Sequence, residues 1–146
     1  MTSRLNPYIS FNGQAREALE FYQSVLGGEL AVNTFGDFAQ AGGDHAAVAD
    51  QIMHGQLETD AGFTIMAADT PPGMDYNPGS NFAVSLSGDD DDQLRGYWKG
   101  ISEGGTVSVP LEKQMWGDEF GQLTDRIGIG WLVNISGQQS GDAAAG

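Results

Sequence analysis

Polar and apolar side chains alternate over residues 8–12 (YISFN), with Ile9 and Phe11 on one face and Tyr8 and Ser10 on the other, which predicts a strand. The period then changes. In residues 14–26 (QAREALEFYQSVL), Ala15, Ala18, Leu19, Tyr22, Val25 and Leu26 recur every three or four positions, the stripe of a helix with one buried face. Asn12 is placed to cap that helix and Gly27-Gly28 to stop it. Residues 29–35 (ELAVNTF) read as a second strand, and residues 36–50, rich in Ala, Gly and Asp without a period, as a mobile loop. Two further strands, 51–59 (QIMHGQLET) and 63–68 (FTIMAA), are joined by the turn Asp60-Ala61-Gly62. Residues 69–79, with three prolines and two glycines, form a connector.

The same order then begins again. Residues 81–87 (NFAVSLS) are a strand, and the acidic residues 89–92 start a helix, where carboxylates meet the positive end of the helix dipole. Asp90 and Gln93 stand at capping-box spacing, Leu94, Tyr97, Trp98 and Ile101 form the buried stripe, and Gly104-Gly105 ends it. Residues 106–109, a segment around 116–123, and 130–135 are the remaining strands. The last two flank Asp125-Arg126-Ile127-Gly128, whose Asp can bond its own backbone and whose Gly supplies positive φ, so they predict a hairpin. Trp116, Phe120 and Trp131 are expected to give bulk on one side of it, either as the wall of a ligand cavity or as ordinary core. Residues 137–146 are expected to be a disordered tail. The sum is an α+β protein of two βαβββ modules, 6–69 and 80–136, forming one domain over 1–136. The repeat is one of element order, since the halves share little sequence.

Composition narrows the function classes. Six Lys and Arg against twenty Asp and Glu give a net charge of −14, which disfavours nucleic acid and anionic membrane surfaces as partners. No run of about 18 apolar residues is present to span a membrane. The first residues lack the build of a signal peptide. Cysteine is absent, which removes disulfides, thiolate nucleophiles and zinc–thiolate sites and fits a cytoplasmic location. Nucleotide-binding loops, nucleophile elbows and zinc-protease motifs are also missing.

Asn12-Gly13, residues 18–22 (ALEFY), Met53-His54-Gly55, Asp69 and Trp116-Gly117-Asp118 followed by Phe120-Gly121 carry a resemblance. With the element order, they make the chain resemble the vicinal-oxygen-chelate superfamily (glyoxalase, bleomycin resistance, dioxygenase) and, within it, the PhnB-like branch. One stretch departs: the branch usually reads D-P-F-G-H-x-W where this chain has Asp125 to Trp131 without that Pro or His. The resemblance implies paired modules with cup-shaped sheets around a cavity, and a homodimer. In the superfamily's metal enzymes a divalent ion is held by His and Glu from four strands. Carried over, those positions fall at Asn6, Met66, Asn81 and about Leu132, a set from which no metal and no cofactor are expected.

His54 is the most informative titratable group. On 51–59, Ile52, His54, Gln56 and Glu58 share one face by alternation, and Met53 and Leu57 the other. His54 is either a general base oriented by Glu58 or a structural histidine. His45 is expected to be solvated, and Asp69 to cap a local turn. Two function classes stay open. One is a metal-free protein sequestering a small apolar or aromatic ligand against Tyr8, Ser10, Met66, Trp116, Phe120 and Trp131, with His54 as a polar handle. The other is a divalent-metal glyoxalase- or dioxygenase-like enzyme using His54 and Glu58. Although the branch is sometimes labelled as a methyltransferase, no methyl-donor loop follows the first strand, and no such activity is expected.

Overall fold

The computed structural model describes residues 3, 5–38, 50–71, 74–79 and 81–137. Its elements are β1 (Tyr8–Phe11), α1 (Ala15–Leu26), β2 (Glu29–Thr34), α2 (Phe35–Phe38), β3 (Ile52–Glu58), β4 (Thr64–Asp69), β5 (Val84–Gly88), α3 (Asp91–Ser102), β6 (Thr106–Lys113), β7 (Glu119–Thr124) and β8 (Gly130–Ile135). They fall into two compact units, residues 1–79 and 80–146. Most of the expected loop at 36–50, with His45, and the expected tail beyond Gly137 lie outside the described residues. Among the described residues no helix is long and apolar enough to cross a membrane.

Each unit is a four-stranded mixed sheet with one long helix on one face, in the orders β1-β4-β3-β2 and β5-β8-β7-β6. The first strand of each runs parallel to the last. That pairing requires a crossover, which the intervening helix supplies. In the first unit Ile9 and Phe11 of β1, Leu57 of β3 and Ile65 and Ala67 of β4 bury against Ala15, Ala18, Leu19, Tyr22 and Leu26 of α1. In the second, Leu86, Leu123, Trp131 and Val133 form the sheet side of the core, and Leu94, Tyr97 and Ile101 the helix side. The helical stripes therefore match the sequence periodicity except at Val25 and Trp98, which are half-buried.

Helix and sheet approach so closely in both units that one sheet residue has no room for a side chain. A Cβ on Gly55 would lie 2.3 Å from Leu19 Cδ1, and one on Gly121 2.6 Å from Trp98 Cη2. These glycines occupy matching register positions, Gly55 opposite Ala67 and Gly121 opposite Val133. The repeat of element order thus extends to individual packing sites.

Three local expectations are corrected. Asn12 does not cap α1; the N-cap is Gln14, with no side-chain cap bond of its own. Asp69 replaces it from the end of β4. Its Oδ1 accepts from the Gly13 and Ala15 amides at 2.8 and 2.9 Å and its Oδ2 from the Ile52 amide at 2.8 Å, at 2% exposure. Asp69 therefore joins three segments rather than capping its own turn. β6 continues to Lys113 instead of stopping at 109. It is an edge strand with two register breaks, where a proline such as Pro110 removes no ladder hydrogen bond.

Candidate functional site

The face of the first sheet turned away from α1 is set by register. Tyr8 lies opposite Met66, Met66 opposite Gln56, and Gln56 opposite Ala31, one row across four strands. Ser10 follows Tyr8 on the same side, and His54 and Asn33 oppose one another two residues along from Gln56 and Ala31. The Tyr8 and His54 rings face each other with centroids 6.1 Å apart at 34°. Tyr8 is 53% exposed, so this pair presents aromatic surface outward. Gln56 Nε2 donates to Glu58 Oε2 at 2.7 Å. Glu58 is thus engaged by the side chain that stands between it and His54.

A groove of about 500 Å³ opens beside this row, lined by Glu29 and Asn33 of β2, His54, Gln56 and Glu58 of β3, and Asp60 of the following turn. Tyr8, Ser10, His54, Glu58 and Met66 therefore share one face of one sheet. Ile52 does not join them. It is fully buried, because the ladder skips from Asn33–His54 to Thr34–Ile52 and the bulge turns its side chain to the helix side. Glu29, Asn33 and Asp60 were absent from the sequence candidates, although Glu29, Ala31 and Asn33 alternate along β2; what was missing was the register that sets them beside β3.

In the second unit Phe120 points to the corresponding open face, opposite Asn134, while Trp131 opposes Leu123. Trp131 is 0% exposed and packs on the helix side. The three aromatics therefore do not share one side of the hairpin: 120 and 131 fall on opposite faces of the pleat, and Trp131 is core. Its Nε1 donates to Asp125 Oδ2 at 2.8 Å, and Asp125 Oδ1 accepts from the amides of Ile127, Gly128 and Ile129 at 2.8–3.0 Å. The hairpin turn is as its composition predicts. Trp116 sits in the turn before β7, 59% exposed, its ring centroid 6.4 Å from that of Phe120.

Asp118 closes that turn. Its Oδ2 accepts from Asn134 Nδ2 at 3.1 Å and its Oδ1 from the Gly137 amide at 2.9 Å. These two bonds, the Asn134 one foremost, hold its pKa below the usual carboxylate value. On the helix side, Arg95 pairs with Asp91 at 2.8 Å and also with Glu119, and both bonds raise its pKa further.

The metal set implied by the superfamily does not fit these residues. Met66 and Leu132 hold matching positions in the two sheets, opposite Gln56 and Gln122, and offer a thioether and a hydrocarbon. Hard divalent ions take imidazole and carboxylate instead. Among the described residues no group of three or more His, Asp or Glu is placed to hold an ion.

A family model described as 3-demethylubiquinone-9 3-methyltransferase matches residues 3–134. Protein YjdN of Escherichia coli (strain K12) is 27% identical over 144 residues, covering 92% of this chain and 97% of that protein. The crystal structure of protein PA1353 from Pseudomonas aeruginosa is 34% identical, with a TM-score of 0.81 over 94% of this chain and all of the other. The PhnB protein from Bacillus cereus, named a putative 3-demethylubiquinone-9 3-methyltransferase, has a TM-score of 0.69 at 16% identity over 92% of this chain and all of its own. More distant solved structures, at 13% and 14% identity, are glyoxalase/bleomycin-resistance/dioxygenase proteins and share the fold alone. The chain therefore belongs to the family described as 3-demethylubiquinone-9 3-methyltransferase, the PhnB-like branch of the glyoxalase/bleomycin-resistance/dioxygenase fold.

Proposed function

We propose that this chain is a metal-free binding protein that takes up a small apolar or aromatic compound on the open face of its first sheet. The observation that carries this is the Tyr8–His54 ring pair beside Met66 and Gln56. An outward ring supplies a stacking surface at low entropic cost, and a thioether adapts to an irregular apolar outline. A few polar groups, here His54 and Gln56, fix orientation. The poor donor set at Met66 and Leu132 favours binding over metal chemistry. A homodimer, which the resemblance implies, belongs to the same proposal; light scattering is expected to give about twice the 15.4 kDa of one chain.

Two measurements test it together. Elemental analysis of the purified protein is expected to find no stoichiometric transition metal; one that disappears in His54→Ala would replace binding with metal catalysis. Calorimetric titration of small aromatic compounds in the presence of chelator is expected to find saturable binding. Tyr8→Ala is expected to weaken it about tenfold, the worth of one lost aromatic contact of ~1 kcal/mol or a little more. Methyl transfer from S-adenosylmethionine to an aromatic acceptor would overturn the proposal outright.

A further inference from the structure

The ring pair of the first sheet has a counterpart in the second. Gln56 and Gln122 are matching residues, each opposite the matching Met66 or Leu132, so two residues back along the strand Phe120 stands where His54 stands. Each of these two side chains has a more exposed aromatic partner from outside its own strand, Tyr8 at 6.1 Å for His54 and Trp116 at 6.4 Å for Phe120. What differs is the polar neighbour. Asn134 lies directly opposite Phe120. Its amide nitrogen is committed to Asp118, and a carboxylate only accepts hydrogen bonds, so the NH₂ end must turn toward it. That fixes the amide orientation and leaves Oδ1, an acceptor, with no donor among the described residues.

We infer that Trp116, Phe120 and Asn134 form a second small-molecule site, for a flat aromatic compound carrying an N–H or O–H donor, and that Asp118 is its positioning residue. The rings supply stacking, and Asn134 Oδ1 accepts the ligand's hydrogen bond. Asp118 sets which end of the amide faces the ligand, and it anchors the turn that carries Trp116, where the Gln114 amide donates to the Asp118 carbonyl at 2.8 Å. The site goes beyond the first-sheet proposal and stands on different residues.

The test compares 2-naphthol with 2-methoxynaphthalene, the same rings with the donor capped by methyl. Binding is followed by the indole N–H resonances of the three tryptophans. Trp116→Phe assigns the relevant signal, and the Asn134 side-chain amide is read in the same spectra. In the native protein 2-naphthol is expected to shift both signals and to bind about five- to tenfold more tightly than its ether, the worth of one hydrogen bond. In Asp118→Ala the Asn134 amide is free to turn, and the preference is expected to collapse toward one. Asn134→Leu, a second variant independent of the turn, is expected to abolish the preference while still binding the ether. Equal affinity of the two probes in the native protein would overturn the site. A preference that survives in Asn134→Leu would overturn the role of Asn134, and shifts confined to the His54 ring would assign the binding to the first sheet alone.

Discussion

At the residue scale, two buried or bridging carboxylates show how much one side chain decides. Asp125, at 4% exposure, satisfies three backbone amides and the Trp131 indole at once. Asp125→Ala takes the Asp125 acceptor from the buried Trp131 indole and from three half-open turn amides, and an unmet buried group costs about 1–3 kcal/mol, more than an amide that water can reach. A loss of about 2–3 kcal/mol is expected in denaturant unfolding, most of it from the buried indole bond, with a smaller one for Asp125→Asn, which keeps one acceptor. Asp118 is half-buried instead, bridging its turn to Asn134 and Gly137. Its lowered pKa means that the folded state holds the proton less tightly than the unfolded one. Its contribution is therefore complete above the ordinary carboxylate value and is lost as pH falls through the lowered one. Amide exchange at Gly137 is expected to lose protection over that acid range in the native protein. In Asp118→Asn, with no carboxylate to titrate, no pH-linked step should remain at Gly137.

At the scale of elements, the two helices solve one problem in different ways. α3 carries its own cap: Asp90 accepts from the Gln93 amide at 3.1 Å, as the local spacing predicts. α1 has none and borrows Asp69, which lies 54 residues from Ala15. Asp69 opposes Phe11 at the last register position of β4, on the helix-facing side and so beside the start of α1. The residue at the matching place in the second sheet is Ile135, opposite Gly88, as suits a helix that caps itself. Asp69→Ala is therefore expected to cost about 3 kcal/mol, from three orphaned amides, and to raise hydrogen exchange at both the first turn of α1 and the start of β3. Asp90→Ala should cost about 1 kcal/mol, confined to the first turn of α3. A Tm series on the two variants checks the ratio, and exchange rates check the places.

For the molecule as a whole, charge is the governing property. A chain with net charge −14 repels itself when compact. Raising ionic strength from about 10 mM to about 150 mM shortens the screening length from roughly 30 Å to roughly 8 Å. Thermal stability is expected to rise with that change, and a melting temperature that falls instead would show that ion pairs such as Arg95 with Asp91 and Glu119 outweigh the repulsion. The repeat of Gly55 and Gly121, and of the two ring pairs, sets the scale at which the molecule is built: the module, used twice and furnished differently.

What the sequence determined by itself was whatever is encoded within a few residues: the stripes of α1 and α3, the Asp90 cap, the Asp125 turn and the βαβββ order. Those features rest on backbone periods and on hydrogen bonds between near neighbours. The open face of the first sheet was legible in part, since Tyr8 and Ser10, or His54, Gln56 and Glu58, alternate along single strands. Only the tertiary structure decided how the strands align. Register put Trp131 in the core and Phe120 on the open face, and a bulge moved Ile52 away from His54. Register also set Asn134 beside Phe120, and the folded turn brought Asp118 to it and chain topology brought Asp69 to the start of α1. A shift of one residue in pairing reverses every side chain on a strand, and that choice is made by packing across the sheet.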